Sequence, residues 1–114
     1  KNGYSRDMLY ALLKSGEEGT AGVMATIVRK KGSTPREAGT KMLVLPDGRC
    51  IGTIGGGCAE AVMMKRALGL LQSGSEQTMM CYVNMAGEES EEEGSCGGGV
   101  IYVLLEPVFC RREM

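Results

Sequence analysis

The chain has 114 residues, the length of one small domain, and 43% of them are hydrophobic, so we expect a folded globule with a modest core. Thirteen basic and 14 acidic residues leave a formal net charge of −1, which argues against binding to nucleic acid or to an acidic membrane face. Histidine is absent, which excludes Ser-His-Asp and Cys-His catalysis and histidine metal ligands.

Five cysteines lie at positions 50, 58, 81, 96 and 110. The number is odd, and no pair has the CxxC spacing of a zinc or redox site. Neither a signal peptide nor an apolar run of membrane-spanning length is visible. We therefore expect free thiols in a reducing cytoplasm.

The first predicted elements are a helix and a strand. Residues 5–15 predict an amphipathic helix with Ser5 as its N-cap and Gly16 at its end. Its expected apolar stripe consists of Met8, Leu9, Leu12 and Leu13. Residues 21–30 predict a strand that ends in a basic run.

A hairpin and a second helix follow. Two short apolar runs, residues 42–45 and 49–53, are joined by Pro-Asp-Gly, which favours a turn between two strands. Residues 58–71 predict a helix that Gly74 can end. The apolar positions of this helix recur at helical spacing, at Ala61, Met64, Leu68 and Leu71.

The last third of the chain predicts two strands around an acidic segment. Residues 77–83 indicate a strand, residues 84–95 a mobile, solvated acidic loop, and residues 99–105 a buried strand ended by Pro107. The expected fold is α/β (α+β-like), with two main helices packed on a mixed sheet of about five strands. We expect residues 1–114 to form a single domain.

Three glycine-rich segments stand out at predicted strand ends, at residues 32–42, 52–60 and 95–99. Eighteen of the 114 residues are glycine, more than twice the usual share of about 7%. Glycine allows positive φ and lets a ligand approach bare backbone. Such clustering favours a binding role over a stabilising one.

The middle segment has the clearest chemical meaning. A strand, then Gly55, Gly56 and Gly57, then a helix opening at Cys58 places free N–H groups beside the positive end of a helix dipole, where an oxyanion binds. The segment matches neither the dinucleotide fingerprint nor a Walker loop. A tight turn without a ligand is the alternative interpretation.

Two cysteines lie in these segments. A thiol at a helix N-terminus, as expected for Cys58, has a stabilised thiolate that can attack an electrophile, carry sulfur or bind a soft metal. The alternative is a small buried residue. If the sheet brings Cys96 close, two thiols face one pocket, which suits open, transient coordination or sulfur handling rather than a structural zinc. Cys50 and Cys81 are expected in the core.

Charged and polar residues flank the glycines. Arg36 and Lys41 border the first segment and can bind phosphate, unless they are ordinary solvated cations. Ser33 can donate hydrogen bonds within the loop. Glu60 lies in the first turn of the second helix, where we expect it only to complement the dipole.

The run GSTPREAGTKMLVLPDGRCIGTIGGGCAE, with SCGGGVIYVLLEP after it, closely resembles the amino-terminal domain of XdhC/CoxI proteins. That family's pattern combines a GSxPRxxGxxM-type loop, a GxxGGGCxE turn, and a late CGG before a strand that ends in Glu-Pro. The three motifs occur here in that order, and the resemblance spans roughly residues 5–107. Three motifs in order are far more specific than one.

The resemblance implies a protein that transiently binds molybdenum cofactor (molybdopterin), protects it, and helps to deliver its sulfurated form to xanthine dehydrogenase-like molybdenum hydroxylases. CoxI-type relatives are linked to carbon monoxide dehydrogenase maturation. Cys58 and Cys96 are then the reactive thiols facing the metal or its sulfur. The remaining expected contacts to the cofactor come from Ser33, Arg36, Gly55, Gly56, Gly57, Gly97 and Gly98.

Such a protein is an accessory factor rather than an enzyme by itself. Its implied partners are a molybdenum hydroxylase, a cysteine desulfurase or a separate Rossmann-domain chain, and a second copy of itself. Many family members continue into a carboxyl-terminal Rossmann domain, which we do not expect in this chain. Two alternatives stay open: a sulfurtransferase or redox enzyme using Cys58, and a non-catalytic partner-docking domain with an exposed apolar patch.

Overall fold

Residues 5–15 and 20–109 of this computed structural model are described, and they form two helices and six strands. The six strands make one sheet in the order β3-β2-β1-β6-β4-β5, and every neighbouring pair is antiparallel. In chain order the elements are α1 (Arg6–Ser15), β1 (Thr20–Lys31), β2 (Lys41–Val44), β3 (Cys50–Gly52), α2 (Gly57–Ser73), β4 (Met79–Asn84), β5 (Glu89–Ser90) and β6 (Val100–Phe109).

The predicted fold class, two helices on one sheet, is confirmed, but the expectation of a mixed sheet is wrong. Helix α2 does connect two strands that run in the same direction, β3 and β4. Those strands are separated by β2, β1 and β6, so no two parallel strands are neighbours in the described sheet. The sixth strand, beyond the expected five, is β5. It lies inside the segment predicted as a loop, and its two residues pair with Tyr82 and Val83 of β4.

Helix α1 begins where the sequence predicts, because the Met8 N–H donates to the Ser5 hydroxyl at 3.2 Å. Only half of its predicted apolar stripe is buried. Met8 and Leu12 pack with Ala11 against β1 and β2, whereas Leu9 and Leu13 are 46% and 72% exposed. The predicted stop at Gly16 lies outside the described residues.

Helix α2 covers the opposite face of the sheet. It ends at Gly74, whose φ of 70° is the left-handed conformation that glycine adopts easily. Its deeply buried side is rotated from the predicted one: three buried positions lie one residue before predicted ones, and the predicted Ala61 is exposed. The buried residues are Ala59, Met63, Ala67 and Leu70, while Met64, Leu68 and Leu71 are partly buried. Neither described helix has the length and apolar character needed to cross a membrane.

Strand β6 does not end at Pro107 as predicted but continues to Phe109. Strand β4 pairs with β6 only as far as Leu105, so beyond that point β6 has a neighbour on one side only among the described strands. A proline lacks the N–H that a ladder needs, and such a free edge accommodates it.

The topology gathers the glycine-rich segments at one end of the sheet. Lys31 and Asn84, the last residues of β1 and β4, both pair with Val100, the first residue of β6. Strand β2 starts and β3 stops at this same end. The connections at residues 32–40, 53–56 and 85–99 therefore emerge side by side.

Candidate functional site

The first glycine-rich segment touches both of the others. Pro35 of the first segment lies against Gly55 of the second, where an added Cβ would be 3.0 Å from the proline Cγ. Ser33 lies against Gly99 of the third, where a Cβ would overlap the serine carbonyl oxygen. Glycine at positions 55 and 99 is thus required for close approach of the loops.

The middle segment turns sharply into α2. Gly55, Gly56 and Gly57 have φ values of 123°, 74° and 68°, a run that only glycine adopts without strain. A Cβ added at Gly56 or Gly57 would meet nothing within 4 Å. Two of the three glycines therefore leave bare backbone beside open space.

Glu60 closes this turn from within the helix. One of its carboxylate oxygens accepts hydrogen bonds from the Thr53 hydroxyl, the Ile54 N–H at 3.1 Å and the Gly56 N–H at 2.9 Å. The Thr53 hydroxyl oxygen in turn accepts the Gly55 N–H at 3.0 Å. The turn thus carries its own anion, which sequence reasoning did not foresee.

The electrostatics of Glu60 follow from these contacts. Burial by itself raises the pKa of the carboxyl group, but the hydrogen bonds from Thr53, Gly56 and Ile54 and the positive charge of Arg36 together lower the pKa below its ordinary value. Glu60 is therefore ionised at neutral pH, and exposed Arg36 acts on the same turn.

The anion-binding site expected at the N-terminus of α2 is thus partly occupied by the chain's own groups. Three of its N–H groups, at Ile54, Gly55 and Gly56, already donate to Glu60 or Thr53. The N–H groups of Gly57 and Cys58 open the helix and find no acceptor among the described residues. An external anion would meet these two donors rather than the whole glycine run.

The two loop cysteines reach the same turn, residues 84–88. Cys58 is exposed, and a Cβ added at Gly87 would lie 3.0 Å from the Cys58 Cβ. Cys96 is half-buried, and its Sγ donates to the carbonyl oxygens of Glu88 at 3.2 Å and Tyr82 at 3.5 Å. Cys58 at the start of α2 and Cys96 on the third glycine-rich segment therefore contact the same turn.

Asn84, the last residue of β4, ties the turn and the third glycine segment together. It is only 5% exposed. Its side chain binds Ala86, Glu88 and Gly97. Gly97 and Gly98 are exposed, and a Cβ at either would meet nothing within 4 Å.

The other thiols are less available. Cys81 is 5% exposed in the core below α2, and burial raises its pKa. Cys50 packs beside the same core, and burial, followed by the negative charge of Glu60, raises its pKa. Cys110 lies outside the described residues. No group of three or more Cys, Asp or Glu side chains in the described part of the chain could hold a metal ion.

The remaining predicted site residues lie at the rim. Ser33 is exposed and contributes its backbone to the contact with Gly99. The Lys41 ammonium group donates to the Thr26 hydroxyl on β1 at 2.9 Å.

The acidic segment is attached to the sheet rather than freely solvated. Glu89 forms two hydrogen bonds with Arg66 of α2, at 2.8 and 3.0 Å. Glu93 bonds Arg29 at 3.3 Å and the Tyr102 hydroxyl at 3.0 Å. These contacts attach the loop that carries Cys96 to α2 and to strands β1 and β6.

Sequence reasoning did not single out Asn84 and assigned Glu60 only to the helix dipole, although each leaves a further signal. A glutamate near the start of a helix can reach back to the preceding N–H groups, as the glutamate of a capping box does. The tetrapeptide from Asn84 to Gly87 has the composition of an Asx turn.

Comparison with known proteins agrees with the motifs. The model of the XdhC and CoxI family matches residues 16–82, more than half of the chain. The chain is 38% identical over 103 residues to a probable xanthine dehydrogenase subunit of Bacillus subtilis, covering 89% of this chain and 30% of that protein. It is 31% identical over 107 residues to the Molybdenum cofactor insertion chaperone PaoD of Escherichia coli, covering 87% and 30%.

A solved structure extends the likeness to three dimensions. The crystal structure of a xanthine dehydrogenase from Bacillus halodurans shares 33% identity and a TM-score of 0.65, covering 89% of this chain and 29% of that one. The chain thus spans about 30% of the length of these relatives. By the extent of the family match, the chain belongs to the XdhC and CoxI family.

Proposed function

We propose that this chain transiently binds molybdenum cofactor and assists its sulfuration and insertion into a xanthine dehydrogenase-like molybdenum hydroxylase. The observation that carries the proposal is the convergence of three glycine-rich loops at one end of the sheet, with an exposed thiol beside them. The name of the relative PaoD, a molybdenum cofactor insertion chaperone, supports the same assignment.

The residues present fit the anionic part of such a cofactor at a smaller site than the glycine run suggests. Gly57 and Cys58 have N–H groups without acceptors in the described structure, and Arg36 adds a positive charge nearby. Glu60 narrows the site, because its carboxylate already holds the N–H groups before Gly57. A phosphate would therefore bind on the outer side of the turn.

The residues also fit the metal end. When bound, the cofactor would bring a molybdenum centre that carries a terminal sulfido ligand. Such a soft centre suits thiolate ligands. Cys58 is exposed and lies against Gly87, and Cys96 bonds Glu88 of the same turn. These side chains would hold and orient the group, while the glycines at positions 97 and 98 leave room for its approach.

The partners follow from the same role. A molybdenum hydroxylase would receive the cofactor, and a cysteine desulfurase would supply the sulfur. A Rossmann-domain chain and a second copy of this chain are further proposed partners. We propose residues 1–114 as one folding unit.

Co-purification with molybdenum cofactor tests the proposal. The wild type, Cys58→Ala, Cys96→Ala and Arg36→Ala are isolated from cells that make the cofactor, and molybdenum and pterin are quantified per chain. We expect retention to fall about tenfold or more in Cys58→Ala, and less in Arg36→Ala because one exposed charge contributes about 1 kcal/mol or less.

The matched control is Cys50→Ala, which removes a thiol outside the glycine-rich loops and should retain the cofactor as the wild type does. If Cys58→Ala and Cys96→Ala both retain as much cofactor as the wild type, the thiols play no part in the mechanism. The absence of pterin from the wild type itself would overturn the binding role.

A further inference from the structure

We propose that Asn84 is the positioning residue of this site, holding one turn against Cys58 at the start of α2 and against the loop of Cys96 through a single buried side-chain amide. The inference rests on the proposed role of the two thiols, but it concerns the geometry of the chain alone. It can therefore be tested without any cofactor.

Every polar group of the Asn84 side chain is used. Its oxygen accepts the N–H groups of Ala86 at 3.1 Å and Glu88 at 2.9 Å. Its nitrogen donates to the carboxylate of Glu88 at 2.7 Å and to the carbonyl oxygen of Gly97 at 2.9 Å. Among small side chains only asparagine offers one acceptor and two donors in this arrangement.

The acceptor half of the amide shapes the side of the turn that faces Cys58. Its bonds to Ala86 and Glu88 close residues 84–88, together with the bond from the Gly87 N–H to the Asn84 carbonyl oxygen at 2.9 Å. Gly87 then lies against Cys58 with no room for a side chain between them.

The donor half fixes the loop that carries Cys96. Gly97, which accepts from the Asn84 nitrogen, directly follows Cys96 in the chain. The Cys96 thiol donates to the Glu88 carbonyl oxygen, which itself accepts the Asn84 backbone N–H at 3.0 Å. One side chain therefore sets where both thiols lie relative to the same turn.

Replacement by aspartate separates the two halves. Asn84→Asp keeps the acceptor oxygen for Ala86 and Glu88 but presents a second oxygen to Gly97 and to the Glu88 carboxylate, so both donated bonds are lost. Adding Glu88→Gln removes the repulsion between carboxylates and lets the glutamine donate in return. The double variant thus restores the turn without restoring the bond to Gly97.

Cross-linking of the full chain measures the effect. The wild type, Asn84→Asp, Asn84→Asp/Glu88→Gln and the control Gln77→Glu react with a short bismaleimide at a temperature where circular dichroism shows each to be folded. Mass spectrometry then quantifies the fraction linked between Cys58 and Cys96. Gln77 is exposed just before β4 and gives the same amide-to-acid change away from the turn.

We expect Gln77→Glu to give the same cross-linked fraction as the wild type. In Asn84→Asp that fraction should be at least fivefold lower than in the wild type. The double variant should regain melting temperature while its cross-linking stays low, a separation that a merely stabilising role would not give. If Asn84→Asp does not fold, the double variant is compared with the wild type directly.

Equal cross-linking in a folded Asn84 variant and the wild type would overturn the inference, as would a wild type with no Cys58–Cys96 product. Either result is distinct from failure of the proposed function, which is measured by cofactor retention and not by the distance between thiols.

Discussion

At the scale of single residues, the carboxylate of Glu60 decides how the glycine-rich turn is used. A run of three glycines has many accessible conformations in the unfolded chain, and ordering it costs conformational entropy. Hydrogen bonds to a charged acceptor are among the stronger polar contacts in proteins and offset part of that cost. Glu60 supplies such an acceptor to Thr53, Ile54 and Gly56.

Glu60→Gln should therefore lower the free energy of unfolding at pH 7 by about 1–2 kcal/mol, the range for hydrogen bonds to a partly exposed charged group. The folded-state pKa of Glu60 lies below its ordinary value of 4.5, so the carboxylate stabilises the fold above that pH. The stabilisation is lost as the pH falls through the lowered value. The difference between variant and wild type should accordingly shrink in urea titrations between pH 7 and pH 3.

Glu76→Gln is the control, since Glu76 is exposed beyond the end of α2 and should change stability by no more than about 0.5 kcal/mol. A Glu60→Gln effect that stays constant down to pH 3 would show that charge is not what the turn requires.

Thiol reactivity belongs to the same scale. Cys58 is exposed, whereas Cys81 is buried and burial raises its pKa, so less of its thiolate is present at neutral pH. Under brief treatment with iodoacetamide at pH 7, mass spectrometry should find Cys58 modified first and Cys81 last among the four described cysteines. In urea the alkylation rates of the cysteines should converge. Equal rates at Cys58 and Cys81 in the folded protein would contradict the exposure of Cys58 and the burial of Cys81.

At the scale of elements, the contact between the first and third loops depends on one missing side chain. Gly99 precedes β6 and lies against the backbone of Ser33. Its φ is not in the left-handed region, so the requirement for glycine here is steric rather than conformational. Gly97, two residues earlier, borders open space and also lacks a positive φ.

This pair of glycines allows a matched test. Gly99→Ala should destabilise the fold by about 1–3 kcal/mol, the usual cost of overpacking, because a backbone oxygen cannot move aside as a flexible side chain can. Gly97→Ala should stay within about 0.5 kcal/mol of the wild type. Urea unfolding measures both, and an equal cost for the two would mean that the loops are not in contact.

At the scale of the whole molecule, local signals predict the elements well and their assembly poorly. Local patterns suffice for elements that depend on neighbours in sequence. Examples are the cap at Ser5 and the hairpin around Pro46, Asp47 and Gly48. The continuation of β6 through Pro107 depends on where β4 stops, which no local pattern records.

The candidate site divides in the same way. The glycine motifs identify the three loops, and the order of the motifs matches the family pattern. The Glu60 bonds to Thr53, Ile54 and Gly56 are local, so a sequence pattern could have indicated them. The bond from Asn84 to Gly97 joins residues 13 apart and forms only when the loop after β4 folds back before β6. Such a contact depends on distances that composition and spacing do not contain.

The sheet order predicts how stability is distributed over the molecule. Strands β1 and β6 each have a neighbour on both sides, and α2 covers one of their faces, whereas β3 and β5 are edge strands of three and two residues. Backbone amides at such edges open without disturbing the core. Amide hydrogen exchange followed by NMR should therefore be slowest in β1 and β6.

We expect exchange in β3 and β5 to be at least about tenfold faster than in the central strands, a difference of about 1.4 kcal/mol in opening free energy. A partner strand added to either edge would abolish that difference, because the paired amides would no longer open alone. Repeating the measurement at two protein concentrations separates the cases: edge protection that rises with concentration would indicate pairing between copies, while strong protection of β3 and β5 at every concentration would contradict the sheet order.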